Sequence, residues 1–381
     1  MFMKEILIAP NSFKECASSY DASIIIKNAL IHCIPEIENY YRLNLFPISD
    51  GGDGFLETVK YHFNTESLKI AVKSIVNGED YECPFEYSKA DKTVYIESAR
   101  VIGLNLIPRS IRNPLKYNSA PLGSLIKKIG ALKNNSDFEV SKVVIGIGGT
   151  ATSDLGVGML SEFGLKLFDA AGKEVNPIPE NFIIAERMIK PEFITGIEIS
   201  IVLDVENPLL GDEGAVKVFA EQKGADKSSL DFLESGFEQI LRRMNVRGEM
   251  HHSFSGAGGG LAASFQIFGN PSVMNAGEFI LKELGLLNKC ANPDLIITGE
   301  GKLDKQTLMN KGGMIVLNSY KKSKIPVCFI AGENILNKKP EFLDVLELKN
   351  YFSSIEESIA YFKTGIFKAC EEISRRYLNK N

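Results

Sequence analysis

Short apolar runs of strand length alternate along the chain with longer stretches whose apolar residues recur at helical spacing. The short runs predict strands at Glu5–Pro10, Tyr40–Phe46, Leu68–Val76, Thr93–Glu97, Lys142–Ile147, Ile197–Leu203, Asp294–Thr298 and Ile325–Ile330. The longer stretches predict helices at Tyr20–Cys33, Gly54–Phe63, Leu122–Leu132, Leu230–Met244, Met274–Leu284, Gly313–Tyr320 and Ile355–Tyr377. This alternation is typical of an α/β protein with largely parallel sheets.

The predicted strands nearest the two termini end alike, in small or acidic polar clusters. These clusters are Pro10-Asn11-Ser12, Ser49-Asp50-Gly51-Gly52 and Gly299-Glu300-Gly301. In a parallel α/β sheet, ligands bind at the carboxyl ends of the strands, where such clusters would meet. We therefore expect the two ends of the chain to share one doubly wound sheet.

The length of the chain favours two domains. At 381 residues it exceeds the size at which a single hydrophobic core keeps growing. We expect a discontinuous domain of residues 1–66 and 288–381, Rossmann- or flavodoxin-like, and an inserted α/β domain of residues 67–287.

Composition and charge exclude several classes of protein. The net charge of −5 argues against a nucleic-acid surface, which needs clustered positive charge. No run of eighteen apolar residues predicts a membrane span, and the opening residues lack the pattern of a secretory signal. The six cysteines are dispersed without a Cys-x-x-Cys pair, a pattern typical of reduced thiols in cytosolic proteins. This spacing also argues against a structural zinc site. We expect a cytoplasmic protein that acts on small molecules.

The strongest local signal is the segment 143–156, in which a buried strand runs into glycines and hydroxyl residues and then into an apolar stretch. Glycines let the backbone approach an oxyanion, and the following amides and hydroxyls can donate to it. The segment is neither a Walker A loop nor a dinucleotide fingerprint, since Ala151 stands where the latter requires glycine. Phosphate binding and a strand-to-helix turn without a ligand stay open alternatives.

Two acidic clusters could serve phosphoryl transfer. Asp50 and Asp53 flank two glycines at a predicted strand end, where they could hold Mg²⁺ or accept a hydroxyl proton. Residues 298–307 combine acid, base and hydroxyl groups, including Glu300 and Lys302, in what reads as one loop. The alternatives are a tight Asp-Gly turn for the first cluster and a solvated charged loop for the second.

Three further positions are candidates. Asp204 closes an apolar strand, where a lone carboxylate is costly unless it is paired or metal-bound, although a turn aspartate is the simpler reading. Lys14 could bind an anion or be an ordinary exposed lysine. Gly258 belongs to a glycine-rich run that could bind phosphate through its amides or pack closely against a strand.

In their order along the chain, these clusters resemble the bacterial glycerate kinase family of the type-one kind. The likeness spans nearly the whole chain and rests on residues 8–14, Asp50-Gly51-Gly52, Glu97, Gly103-Leu104, Asn113-Pro114, residues 146–152, Asp204-Val205, residues 207–209 and 222–225, Gly256-Ala257-Gly258, Thr298-Gly299-Glu300-Gly301, Asp304 and Gln306-Thr307. The sequence departs from the family pattern at Ser49, Asp53, Lys302, Asn310, around Tyr117-Asn118-Ser119 and at Ser153-Asp154-Leu155-Gly156.

The resemblance implies a two-domain α/β kinase with its active site in the interdomain cleft, which uses ATP and Mg²⁺ to convert D-glycerate into 2-phosphoglycerate. Asp50 and Asp204 would then share metal binding and acceptance of the hydroxyl proton. Ser12, Lys14 and Arg100 would bind the carboxylate of the substrate. The nucleotide would be bound by Gly148, Gly149, Thr150, Gly258, Glu300 and Lys302.

Two alternatives remain open. The departures near residues 117 and 153 favour a kinase of another small hydroxy acid or polyol. A catalytically silent ligand-binding protein that kept the fold is the alternative from a different class. No membrane or nucleic-acid partner is expected, and a homodimer is one assembly that the sequence allows.

Overall fold

The computed structural model of the chain describes residues 3–132, 134–135, 138–192, 196–203, 205–246, 255–304, 307, 312–336 and 343–378. It is a mixed α/β protein with parallel sheets, which confirms the predicted fold class. The chain divides into two compact units, one formed by Met1–His62 with Ala276–Asn381 and the other by Phe63–Asn275.

The strands, in chain order, are β1 Lys4–Ile8, β2 Tyr41–Leu45, β3 Glu66–Lys73, β4 Asp80–Ser88, β5 Thr93–Glu97, β6 Asn134–Asn135, β7 Phe138–Glu139, β8 Lys142–Ile147, β9 Lys166–Phe168, β10 Glu174–Val175, β11 Arg187–Ile189, β12 Glu198–Leu203, β13 Ser272–Asn275, β14 Leu295–Leu303, β15 Val327–Asn334 and β16 Asp344–Glu347.

The α-helices are α1 Ser19–Cys33, α2 Phe55–His62, α3 Ser98–Ile102, α4 Ala120–Leu132, α5 Val157–Ser161, α6 Ala215–Phe219, α7 Lys227–Met244, α8 Leu261–Phe268, α9 Ala276–Glu278, α10 Leu286–Lys289, α11 Gly312–Tyr320, α12 Ile355–Ala360 and α13 Phe362–Ile373. Two of them, α9 and α13, continue into π-helical turns at Phe279–Glu283 and Ser374–Leu378.

The sheet of the first unit has the strand order β16-β15-β14-β1-β2, and each neighbouring pair is parallel. Strand β1, from the amino-terminal part of the chain, pairs with β14, from the carboxyl-terminal part, in the register Ile6 to Leu295. The prediction that these two strands lie in one sheet is therefore confirmed.

Helices cover both faces of this sheet because its strands are apolar on both sides. On one face, buried strand residues pack with α1 and α13, and these residues are Ile6, Ile8, Ile297 and Ile330. On the other face they pack with α11, and these residues are Phe329, Ala331 and Val345. Each fully buried large aliphatic side chain contributes about 1.5–3 kcal/mol to folding.

The larger sheet of the second unit has the order β13-β12-β8-β5-β4-β3. Strand β8 is parallel to both of its neighbours, β5 and β12, whereas β4 and β3 continue the sheet antiparallel. A small antiparallel sheet of β9, β10 and β11 and the short β6–β7 ladder complete the unit. The carboxyl ends of β5 and β8 thus lie side by side, Glu97 opposite Gly146.

Several strands differ from the sequence prediction, and β14 and β4 show why. Strand β14 continues to Leu303, five residues beyond the predicted end at Thr298, because the segment that reads as a loop pairs with β15. Strand β4 was not predicted because charged residues and Pro84 interrupt its apolar pattern. The proline is tolerated since β4 pairs with β5 only through Glu86–Ser88, so that Pro84 has β3 alone beside it.

Several helices also differ, and two of the predicted ones show the reasons. The predicted helix Met274–Leu284 begins at Ala276, because the preceding Ser272–Asn275 pairs with β12 as a strand. The predicted helix Ile355–Tyr377 is interrupted at Tyr361, between α12 and α13. Over the described ranges, no helix is both long and apolar enough to cross a membrane.

Candidate active site

In the first unit, Ser19 connects the loops that follow β1 and β2. Its hydroxyl donates to the Pro10 carbonyl at 2.6 Å and accepts from the Ile48 amide at 2.8 Å. Ser18 caps α1 by accepting from the Asp21 amide, which places Ser19 in the first turn of the helix. Helix α1 thereby holds both loops at the carboxyl edge of the sheet.

Asp50 lies at this edge, half-buried, in the loop after β2. One carboxylate oxygen accepts from Asn11 Nδ2 at 3.0 Å, and the other accepts from the Gly52 amide at 3.2 Å. Asn11 itself is buried, and its backbone amide donates to the Gly299 carbonyl of β14 at 2.8 Å. The structure therefore brings Asp50, the Asn11–Ser12 segment and β14 together, as expected for strand-end clusters in a parallel sheet.

Lys14 stands at the tip of a tight turn after β1. The backbones of Phe13 and Ala17 exchange hydrogen bonds of 2.9 and 3.0 Å across the turn, and the Phe13 ring packs 4.9 Å from that of Phe362. Lys14 is exposed, so its ammonium faces solvent from a fixed backbone. Gly301 of β14 lies against this turn, where a Cβ would come within 3.3 Å of the Lys14 amide nitrogen.

Glu300 and Lys302 lie within β14, which corrects the prediction that they belong to a loop. Pairing with β15 keeps this segment extended, with Glu300 opposite Ala331 and Lys302 opposite Glu333. The two side chains differ in burial, since Glu300 is 8% exposed and Lys302 is exposed.

In the second unit, residues 148–153 follow β8 and form the predicted phosphate loop. Hydrogen bonds join this loop to α3 and to the residues after α3. The Ser98 hydroxyl donates to the Gly148 carbonyl at 3.2 Å, and the Gly148 amide lies 3.3 Å from the same hydroxyl. The Leu104 amide donates to the Gly149 carbonyl at 2.8 Å. Gly149 is exposed and has φ +63°, a conformation that other residues adopt with strain. The backbone at Gly149 can therefore be approached closely by a ligand.

Arg100 lies on α3 beside this loop. Its Nε is 3.4 Å from Oε1 of Glu97, the last residue of β5, whose side chain is almost fully buried. The Arg100 side chain is 45% exposed, so the ion pair with Glu97 leaves part of it accessible to solvent.

Asp154 fixes the segment that follows the loop. This fully buried carboxylate accepts from the Ser119 amide and hydroxyl at 2.8 and 2.7 Å and from the Gly156 and Gly158 amides at 3.2 and 3.0 Å. Burial raises the pKa of Asp154, and the four donors lower it to a lesser extent. Asp154 thus ties the start of α4 to the start of α5.

The glycine-rich run before α8 packs against the same segment. A Cβ at Gly258 would lie 2.7 Å from Ile147 Cγ2, and one at Gly259 would lie 2.1 Å from the Thr152 carbonyl. The Gly259 carbonyl accepts from the Leu155 amide at 3.1 Å. These contacts give the glycines a packing role, the alternative that the sequence left open.

Lys223 is a buried lysine behind the predicted phosphate loop. It is 4% exposed, and its ammonium donates to the Thr152 carbonyl at 2.6 Å and contacts Thr150 Oγ1 at 3.5 Å. Neither Lys223 nor Glu97 was among the predicted site residues. Lys223 belongs to the polar run Glu221-Gln222-Lys223, which is typical of a solvated surface. For both Lys223 and Glu97, the resemblance to the family is the signal in the sequence that could have identified them.

Asp204, the second predicted catalytic aspartate, lies outside the described residues. Within the described residues, no group of three or more His, Cys, Asp or Glu side chains gathers as a metal site. The structure thus brings the Asn11–Ser12 segment next to Asp50 in one unit. In the other unit it places the loop of Gly148, Gly149 and Thr150 against α3, the helix that carries Arg100.

The sequence as a whole matches a known family. The model of the glycerate kinase family aligns with residues 6–378. The chain belongs to the glycerate kinase family. The resemblance on which the sequence prediction rested is therefore confirmed, and with it the prediction of a kinase, a class of enzyme that takes ATP as a substrate.

Curated relatives support the assignment. The glycerate kinase of Halalkalibacterium halodurans is 32% identical over 340 residues, which cover 87% of this chain and 86% of the relative. The glycerate kinase of Haemophilus influenzae is 32% identical, over 86% of this chain and 85% of the relative. The glycerate 2-kinase of Escherichia coli is 30% identical over the same shares.

The fold agrees with that of a solved structure. A crystal structure of a Salmonella typhimurium LT2 protein that carries the name glycerate kinase 2 matches with a TM-score of 0.73 at 27% identity. The match covers 98% of both chains, so the α/β architecture is common to the two proteins over nearly their whole length.

Proposed function

We propose that this chain transfers the γ-phosphoryl group of ATP to the C2 hydroxyl of D-glycerate and yields 2-phosphoglycerate and ADP. The observation that carries the proposal is the family match over residues 6–378. The position of the transfer is supported by the E. coli relative, which is named a glycerate 2-kinase. In this reaction the substrate hydroxyl oxygen bonds to the γ-phosphorus, the bond to the β–γ bridging oxygen breaks, and the hydroxyl loses its proton.

The protein has little covalent chemistry to perform, so its tasks are positioning and neutralisation of charge. We assign the acceptance of the hydroxyl proton to Asp50 or Asp204. Asp50 suits this task because Asn11 and Gly52 hold its carboxylate in one orientation. Each of its oxygens retains acceptor capacity beyond the one donor, since a carboxylate oxygen has two lone-pair sites.

The donor set also suits Mg²⁺. Mg²⁺ is usually bound through one or two carboxylates, with waters and substrate phosphates completing its shell. Asp50 and Asp204 would hold it, and a dense cluster of protein ligands is not required. When bound, the ion neutralises charge on the phosphate oxygens.

The remaining assignments follow from charge and backbone geometry. Gly148, Gly149 and Thr150 present a loop in which Gly149 is exposed and free of a side chain, as phosphate binding requires. Gly258, Glu300 and Lys302 are further proposed contacts of the nucleotide. Ser12, Lys14 and Arg100 would bind the substrate carboxylate, and the exposed guanidinium and ammonium provide the positive charge.

The proposal is tested by ADP release from the purified chain with ATP, Mg²⁺ and a panel of acceptors. The panel contains D-glycerate, L-glycerate, glycerol and other small hydroxy acids. We expect turnover with D-glycerate and little with the others, because a site that hydrogen-bonds particular substrate groups rejects analogues that lack them. If the chain prefers another acceptor, that acceptor takes the place of D-glycerate as the proposed substrate. The absence of turnover with every acceptor would favour a catalytically silent ligand-binding protein.

A further inference from the structure

The side chain of Lys223 is buried by the way its turn packs. Lys223 closes the 3₁₀ turn Glu221–Lys223, and its own amide donates to the Ala220 carbonyl at 3.0 Å. The next residue, Gly224, has φ +96° and lies so close to Arg112 that a Cβ would come within 2.4 Å of the Arg112 carbonyl oxygen. The turn is therefore held against its surroundings, and the lysine beside it is only 4% exposed.

A buried ammonium is costly unless other groups compensate for its lost hydration. A methionine would fill a similar volume without that cost, so packing alone does not explain a lysine here. The ammonium donates to the Thr152 carbonyl and lies near Thr150 Oγ1, both in the loop after β8. The positive charge is thus placed directly behind the proposed phosphate loop.

The loop also contains side-chain hydroxyl groups without hydrogen-bond partners in the described part of the chain. Thr152 Oγ1 and Ser153 Oγ are buried and have no hydrogen-bond partner in the described part of the chain. Buried hydroxyls without partners are uncommon in folded proteins. Thr152 and Ser153 therefore have donor and acceptor capacity that the described hydrogen bonds do not use.

We propose that Lys223 is a positioning residue for the nucleotide phosphates. Its hydrogen bonds fix the backbone of Thr150–Thr152, and its buried charge makes the potential at the loop favourable for an anion. The inference rests on the proposed function, because it takes ATP as the ligand of this loop. Water screens such a buried charge weakly, so its effect on a bound phosphate is larger than that of a surface lysine.

The test compares Lys223→Met, which removes donor and charge, with Lys223→Gln, which keeps a donor for the Thr152 carbonyl but removes the charge. Lys227→Met is the matched control, because Lys227 is an exposed lysine four positions away. Calorimetry gives Kd for ATP, ADP and AMP, and circular dichroism checks that each variant is folded. We expect both Lys223 variants to bind ATP on the order of 10-fold more weakly, with a smaller loss for AMP and no change in the control.

The outcomes separate the inference on Lys223 from the proposed function on which it rests. A Lys223→Gln variant that binds ATP like the wild type would overturn the role of the charge, and so would an equal loss for AMP and ATP. If Lys223→Met does not fold, Lys223→Gln decides the question alone. A wild-type chain that does not bind ATP would overturn the proposed function itself, whereas normal wild-type binding with unchanged variants would overturn only the inference on Lys223.

Discussion

Replacing Asp50 by Asn is expected to lower kcat with D-glycerate by about 10²–10⁴-fold, the usual contribution of general acid–base assistance. The amide keeps the size of the carboxylate but neither accepts the hydroxyl proton nor carries charge for Mg²⁺. Its oxygen can still accept from the Gly52 amide, and its NH2 group can donate to the Asn11 side-chain oxygen once the Asn11 side-chain amide turns over. We therefore expect the free energy of unfolding in urea to change by no more than about 1 kcal/mol.

Asp294→Asn is the control for this variant. Asp294 is exposed at the opposite, amino-terminal edge of the same sheet, where its carboxylate accepts from the Glu5 amide at 2.8 Å. Its substitution should leave kcat unchanged. A folded Asp50→Asn variant with normal kcat would remove Asp50 from the catalytic role and leave Asp204 as the candidate.

Replacing Asp154 by Ala is expected to lower the free energy of unfolding by about 3–5 kcal/mol, since each buried donor left without an acceptor costs about 1–3 kcal/mol. The substitution leaves three amides and one hydroxyl, from Ser119, Gly156 and Gly158, without their acceptor in a site closed to water. It should also loosen the segment after the phosphate loop. Urea unfolding followed by circular dichroism measures the effect.

Asp212→Ala is the matched control in the same unit. The Asp212 side chain is 98% exposed and pairs with Lys217 at 3.0 Å. Exposed pairs of this kind contribute roughly 0–1 kcal/mol, so the control should be nearly as stable as the wild type. A loss of stability in Asp154→Ala no larger than in Asp212→Ala would show that the four hydrogen bonds contribute little.

The sequence predicted the strands best where they are apolar on both faces. Strands β5 and β8 have the predicted bounds, because both are buried runs flanked by polar residues. Strand β14 was predicted too short, since Gly299-Glu300-Gly301 has the composition of a loop and only its pairing with β15 makes it a strand. Tertiary pairing overrides local propensity in such segments.

The candidate site follows the same logic. Asp50 and Gly149 could be identified because aspartates and glycines at strand ends are a local signal. That Glu300 is buried and Lys302 exposed could not be predicted, since the strand in which both lie was not expected to extend that far. Lys223 could not be identified from local sequence because its burial results from a turn that packs against Arg112, far away along the chain.

The central claim, phosphoryl transfer from ATP to the C2 hydroxyl of D-glycerate, is tested most directly by the identity of the product. The purified chain is incubated with ATP, Mg²⁺ and D-glycerate, and enolase is added without phosphoglycerate mutase. Enolase acts on 2-phosphoglycerate, so phosphoenolpyruvate is expected to form at once and in step with ADP. Release of ADP without phosphoenolpyruvate until mutase is added would place the transfer at C3, and the absence of both ADP and phosphoenolpyruvate would contradict the proposed activity.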